Sequence, residues 1–225
     1  TAYNNAYRAA PIIQAKENGR YGNTSSYQNV GNPILDIENK NARSYGYRIQ
    51  ATGYLEVKPL DWITLRSSMG GELVSYSDKE YNYRFLNDEV TFLTAGGNQL
   101  NPKSNLSVFK DNYFRWVWDN TVTLNKKIDA HTFTLLVGST AEEYTAENIR
   151  AFRQDVPADK NLWYIGTGDA NTSTNGGGGE KWTRSAYLSR LNYNFDDRFL
   201  FTGTMRYDGS SRLSKDNRWG FFPSV

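Results

Sequence analysis

The sequence offers few residues equipped for chemistry. The single histidine, His131, stands in "NKKIDAHTFTLLV" without an HExxH partner, so it reads as a turn residue and not as a metal ligand or general base. Glu142 and Glu143 are adjacent on a strand-like stretch and point to opposite faces. They cannot form the facing carboxylate pair of glycoside hydrolysis, and solvation explains them. No GxSxG elbow occurs, and "NGGGGEK" lacks the Gly-Lys-Ser/Thr ending of a phosphate loop. With no cysteine there is no thiolate site and no disulfide framework. These absences argue against an enzyme and against a cofactor. Asp169, Asn171, Ser173, Asn175 and Glu180 in "DANTSTNGGGGE" follow a calcium-loop spacing, but Thr174 occupies the position that needs glycine. Asp169, Asn171 and Glu180 are therefore the only metal candidates. The remaining chemistry is stacking: Tyr81, Tyr83, Trp163, Tyr164 and Trp182 lie in or beside irregular segments and could meet sugar rings or peptide side chains.

The elements that would position them alternate with a period of two. In "SYGYRIQATGYLEVK" Tyr45, Tyr47, Ile49, Ala51, Gly53, Leu55 and Val57 share one face, against Arg48, Gln50, Thr52, Glu56 and Lys58. Ile63, Leu65, Met69 and Leu73 repeat the pattern, interleaved with Arg66 and Glu72, as do Phe114, Trp116, Trp118 and Val122 against Arg115 and Asp119, with Asn120 the one polar interruption. Hairpins are expected over 44–76 and 112–144, and strands over 182–225. Segments 1–43, 77–111 and 145–181 lack a period and contain runs such as "TAGGNQLNPKSN", so they are expected as long loops, the glycine run as a flexible tip. Short and long connections alternate.

Strand length chooses the architecture. Ser44 to Lys58 alternates over about 15 residues, near 50 Å of chain at about 3.3 Å per residue, where globular strands average about 5 or 6. Tilted by about 45°, it would cross the roughly 25 Å apolar band of an outer-membrane barrel, which keeps short turns on the periplasmic side and long loops outside. Arg48, Glu72, Arg115, Arg184, Arg190, Arg206, Asp208 and Arg218 all oppose the apolar face, too many charges for a narrow packed core. A wide barrel of roughly 22 strands answers this. Tyr45, Trp116, Trp118, Trp219 and Phe221 then fit an interfacial aromatic girdle in outer-membrane lipid. The formal net charge of +2 gives no support for a nucleic-acid partner. The rival class is a soluble secreted β-protein binding glycans through exposed aromatics, and a passive porin shares the polar lumen.

"RFLFTGTMRYDGSSRLSKDNRWGFFPSV", residues 198–225, resembles the barrel signature of the SusC/RagA family of TonB-dependent outer-membrane transporters. The likeness rests on Arg206, Asp208, Gly209, Ser210, Ser211, Arg212, Asn217, Arg218, Trp219, Gly220, Phe222, Pro223 and Ser224, with Leu213 and Phe221 as apolar exchanges. "NPILDIENKN" and "SRLNYNFDDRFLFTGTMR" are also similar to that family. The resemblance implies an all-β, antiparallel transmembrane barrel segment of about seven long strands within a roughly 22-stranded barrel, with long extracellular loops, in a bacterial outer membrane. It also implies import of an oligomeric nutrient, glycan before peptide, with a SusD-like surface lipoprotein as lid and TonB as energy source through a plug domain. No plug or TonB box is seen here, so a mid-barrel stretch is expected. Gly209 with the paired serines suits a tight outer turn, and Arg206, Asp208, Arg212 and Arg218 suit cross-strand pairing that fixes register or gates a plug.

Overall fold

The computed structural model describes residues 2–9, 11, 12, 14–17, 20–22, 32–84 and 101–225. The middle of the expected 77–111 loop, residues 85–100, and residues 23–31 of the expected 1–43 loop lie outside them. Two short helices, α1 (Ala2–Arg8) and α2 (Pro33–Glu38), and two short strands, β1 (Lys16–Glu17) and β2 (Arg20–Tyr21), precede the main sheet. The first segment is therefore not loop throughout. "NP" starts α2: the Asn32 side chain accepts from the Ile34 amide at 3.0 Å and Pro33 supplies the preset φ of a first helical turn.

The main sheet holds seven strands in sequence order: β3 (Lys40–Leu60), β4 (Ile63–Asn82), β5 (Asn105–Ile128), β6 (His131–Gln154), β7 (Thr174–Phe195), β8 (Phe199–Ser210) and β9 (Trp219–Ser224). The assigned pairings of β7 with β8 and of β8 with β9 are antiparallel, with Tyr187 opposite Tyr207 and Tyr207 opposite Phe221. The short turns carry aspartate. Asp129 (φ 52°), Asp196 (φ 50°) and Asp197 (φ 55°) take the left-handed conformation that a short polar side chain tolerates, and Asn194 accepts from the Asp197 amide at 3.0 Å. Each turn is tied sideways, since Trp62 O accepts from Asn125 N at 2.8 Å and Ala130 O from Asp196 N at 2.9 Å.

The strands exceed the expected hairpins. β5 and β6 each run 24 residues, about 80 Å at about 3.3 Å per residue. β4 continues through "YSDKEYN" and β6 through "TAENIRAFRQ", where polar side chains occupy both faces and the alternation that marks a half-apolar strand is lost. The glycine run corrects another expectation, because Thr174–Glu180 is the first part of β7 and not a flexible tip. Among the described residues, 83, 84, 101–104 and 155–173 are what remains outside these strands.

Two compact units divide the chain. The first comprises 1–45, 76–110 and 149–177; the second comprises 46–75, 111–148 and 178–225. In the first unit Tyr81, Leu106, Val156 and Trp163 form a buried cluster with Tyr83, Val108 and Ile165 packed against it. Tyr81 stacks on Trp163 at 4.4 Å, and the Tyr81 hydroxyl and Ser104 Oγ both donate to Val156 O, at 2.9 and 2.6 Å. In the second unit the apolar face is bare: Leu55, Leu65, Met69, Phe114, Trp118, Val137, Phe201, Met205 and Phe221 are all exposed. Its buried side chains are Glu72, Glu142 and Ala186.

Candidate functional site

The polar face of the second unit gathers what chemistry the molecule has. Arg48 on β3 pairs with Glu72 on β4, which also accepts from the Tyr113 hydroxyl of β5 at 3.2 Å. The Tyr113 ring lies 5.4 Å from Tyr144 on β6, Tyr144 stacks on Trp182 of β7 at 5.3 Å, and the Arg212 guanidinium covers Trp182 at 4.9 Å while pairing with Glu180. This row crosses the face strand by strand.

Beside it, Glu142 on β6 is only 4% exposed, accepts a hydrogen bond from Arg115 of β5 at 2.6 Å and forms an ion pair with Arg184 of β7 at 3.6 Å. A carboxylate so buried needs its cations. Losing one leaves an uncompensated charge, on the order of 2–3 kcal/mol here, below the fully buried range because both arginines stay about half exposed. Thr140 donates to Asp119 at 2.6 Å, and a cavity of about 190 Å³ opens between Gln50, Thr52, Ser68, Glu72, Arg115 and Asp119. The expectation that solvation explains Glu142 is wrong. Arginine opposite glutamate on adjoining strands was a visible signal, but only register pairs Arg115 and Arg184 with it.

The signature residues divide by role. Gly209 is a strand residue and not a turn: it sits opposite Trp219, and a Cβ there would meet the indole at 2.7 Å. Trp219 stacks on Tyr207 at 4.8 Å. Gly220 likewise leaves room for Phe222, whose ring would stand 2.9 Å from a Cβ. Pro223 faces Met205. Arg206 holds Asp208 of its own strand at 2.7 Å, not of a neighbouring one. Ser210 Oγ accepts from Arg212 N at 3.3 Å, and Ser211 fastens the connection to β7, donating its amide to Thr183 O at 3.0 Å and accepting from Thr183 N at 2.8 Å. Arg218 has no ion pair among the described residues.

The candidate stacking residues separate too. Tyr81 (1% exposed) and Trp163 (4%) are packed in the first unit's core, Tyr83 is partly buried against them, and Trp182 is sandwiched between Tyr144 and Arg212. Tyr164, 63% exposed, presents its ring with Lys79 Nζ at 5.3 Å. The metal candidates are not gathered: Asp169 caps a 3-10 turn through the Asn171 amide at 2.9 Å, and Glu180 serves Arg212. His131 Nδ1 lies 2.8 Å from the Tyr193 hydroxyl, its ring packed near Phe195 at 4.8 Å, in an aromatic group beside the short turns.

No protein-family model matches the chain. It is 28% identical over 223 residues to the TonB-dependent receptor SusC of Bacteroides thetaiotaomicron, covering 91% of this chain and 22% of that protein. A TonB-dependent receptor of Formosa agariphila is 24% identical over 230 residues, covering 99% and 20%. Among solved structures, that of the RagAB peptide transporter superposes with a TM-score of 0.74 at 20% identity, over 85% of this chain and 20% of that one. The chain spans about a fifth of the length of these relatives. Along nearly its whole length the chain is similar to TonB-dependent receptors of the SusC kind, and its fold is that of part of the RagAB outer-membrane β-barrel.

Proposed function

We propose that the receptor containing this chain imports an oligomeric nutrient, a glycan in preference to a peptide, along the polar face of the second unit, with a SusD-like surface lipoprotein as lid and TonB supplying energy through a plug. The observation that carries this is the contrast between the two faces of one sheet. Leu55, Val137 and Phe201 are exposed on one, while Arg48, Glu72, Arg115, Glu142 and Arg184 are linked by ion pairs on the other. A lipid-covered wall with a hydrated, hydrogen-bonding interior gives an oligomer partners along its length. A soluble secreted protein would leave the apolar face in water, which sets that alternative aside. The name of the RagAB structure assigns peptide to RagAB, a likeness of fold alone at 20% identity. Tyr164, exposed beside Lys79, supports a sugar-stacking contact from the first unit.

The test is uptake. Cells lacking the receptor are compared with the parent for labelled oligosaccharides and oligopeptides, with and without an energised inner membrane. Energy-dependent loss of oligosaccharide uptake is expected. Unchanged uptake of both classes defeats import, energy-independent uptake favours a passive porin, and selective loss of peptide uptake overturns only the substrate class.

A further inference from the structure

Three arginines, Arg115, Arg184 and Arg212, pair with two carboxylates, Glu142 and Glu180, in the second unit, and a fourth, Arg218, adjoins them through the backbone. Register brings them together. Arg184 is the Cα partner of Ser210, the Ser210 amide donates to Arg218 O at 3.0 Å, and Ser211 bonds Thr183. Trp182, two residues from Arg184 along β7, lies beneath Arg212. The group therefore carries two more positive charges than negative ones.

Two of its donors are idle. Arg218 Nε and Trp182 Nε1 are both buried and have no hydrogen-bond partner among the described residues. A buried N–H without an acceptor is costly, and native proteins seldom leave one so. A water could answer the indole but not the uncompensated charge. We propose that Arg184, Arg218 and Trp182 form a binding site for a carboxylate. Its two oxygens suit the fork of a guanidinium edge and accept an indole N–H as well, and its charge meets the local excess. Glu142 and Glu180 show that carboxylates are the group this row already holds.

The carboxylate has two sources: an acidic oligomer entering from solution, or an aspartate or glutamate of another segment of the same receptor. The site rests on the reading of this face as wet, which a separate probe checks: cysteine at Gln50 should react with a water-soluble maleimide, and a cysteine at Ile49 should not.

The experiment uses the intact receptor in detergent. Calorimetry with trigalacturonate and with triglutamate is run against maltotriose as the neutral control, for the wild type, Arg218→Gln and Arg184→Gln. Either acidic probe should bind with salt-sensitive affinity and weaken at least about tenfold in each variant, while maltotriose is unaffected. The conservative Arg218→Lys variant, which guards against misfolding of the glutamine forms, is treated with a carbodiimide and mapped by mass spectrometry. An amide from the introduced lysine to an aspartate or glutamate other than Glu142 and Glu180 supports the internal source. Acidic probes that bind no better than maltotriose, together with no such crosslink, overturn the site. If Gln50 is also unreactive, the wet-face reading falls with it; if Gln50 reacts, only the site falls.

Discussion

The two compact units share five long strands, β3 to β7, but are held together in different ways. The first is an ordinary small core, with Tyr81, Leu106, Val156 and Trp163 withdrawn from water and hydrogen bonds running inward to Val156 O. The second reverses this: its large apolar side chains are exposed and its glutamates buried. Each fully buried large side chain of the first unit contributes roughly 1.5–3 kcal/mol by leaving water. In the second unit the corresponding side chains meet lipid, and the fold is held by the strand ladder and ion pairs such as Arg115–Glu142. Residue type alone does not say what buries a residue. The solvent on each side decides.

The comparison breaks most visibly at Trp163. Trp163→Ala should cost the first unit about 3–5 kcal/mol, as large-to-small core changes do, and speed proteolysis within 155–173 while the heat-induced unfolding of the barrel stays in place. A barrel midpoint that falls as far as the loop's protection would mean that the units are not separate in energy. Next comes a charge on the apolar side. Val137→Arg in the second unit should destabilise by about 2–4 kcal/mol, whereas Ile149→Arg, also exposed but in the first unit, should cost less than about 0.5 kcal/mol. Equal costs at the two sites would erase the distinction.

Glu142→Ala sharpens the picture on the polar side. It removes the group that neutralises Arg115 and Arg184 and should lower barrel stability by about 2 kcal/mol, and Arg115→Met combined with it should recover part of that loss. Additive losses would show that the ion pair carries no coupling.

The smallest effect belongs to the N-terminal stretch of the first unit, where Lys16 bonds Glu38 at 2.6 Å and Tyr21 donates to the same carboxylate oxygen at 2.6 Å. The Lys16 hydrogen bond, followed by that of Tyr21, holds the Glu38 carboxyl below its ordinary range, and the bond to Glu38 raises Lys16. The tether is thus present above the ordinary carboxylate range and is lost as pH falls through the lowered value. At the alkaline end it persists until pH rises through the raised lysine value. Protection of the Lys16 and Tyr21 amides, taken relative to the intrinsic exchange rate at each pH, should fall in acid and hold at neutral pH; protection that acid leaves unchanged would rule the tether out.

What was legible in the sequence follows the same division. Alternation from Tyr45 to Val57 and from Phe114 to Leu124 announced strands because one face meets an apolar medium and the other water. Where both faces are polar, as in "TAENIRAFRQ", the ladder continues to Gln154 without any periodic mark, and the strand reads as loop. Gly176 to Gly179 misled for a related reason: glycine signals flexibility locally, but here β7 runs through the stretch as strand. The polar row was half visible. Charge placed Arg48, Glu72, Arg115 and Arg184 on one side, but which arginine meets Glu142 depends on register, and register across long loops leaves no local trace. Tyr81 and Trp163 looked like ligand contacts because aromatic residues beside loops serve either purpose, and only their stacking at 4.4 Å assigns them to the core.

β6 belongs to both units, with residues 131–148 in the lipid-bounded second and 149–154 in the first, whose exposed side chains meet water. Spin labels placed singly from Phe133 to Gln154 in the intact receptor, reconstituted in bilayers, report oxygen against a water-soluble nickel chelate as relaxant. Labels at Phe133, Leu135 and Val137 should favour oxygen and those at Thr134, Leu136 and Thr140 the chelate, alternating residue by residue; from Ile149 onward every exposed label should favour the chelate. Alternation that persists to Gln154, or that is missing between Phe133 and Val137, would contradict the account.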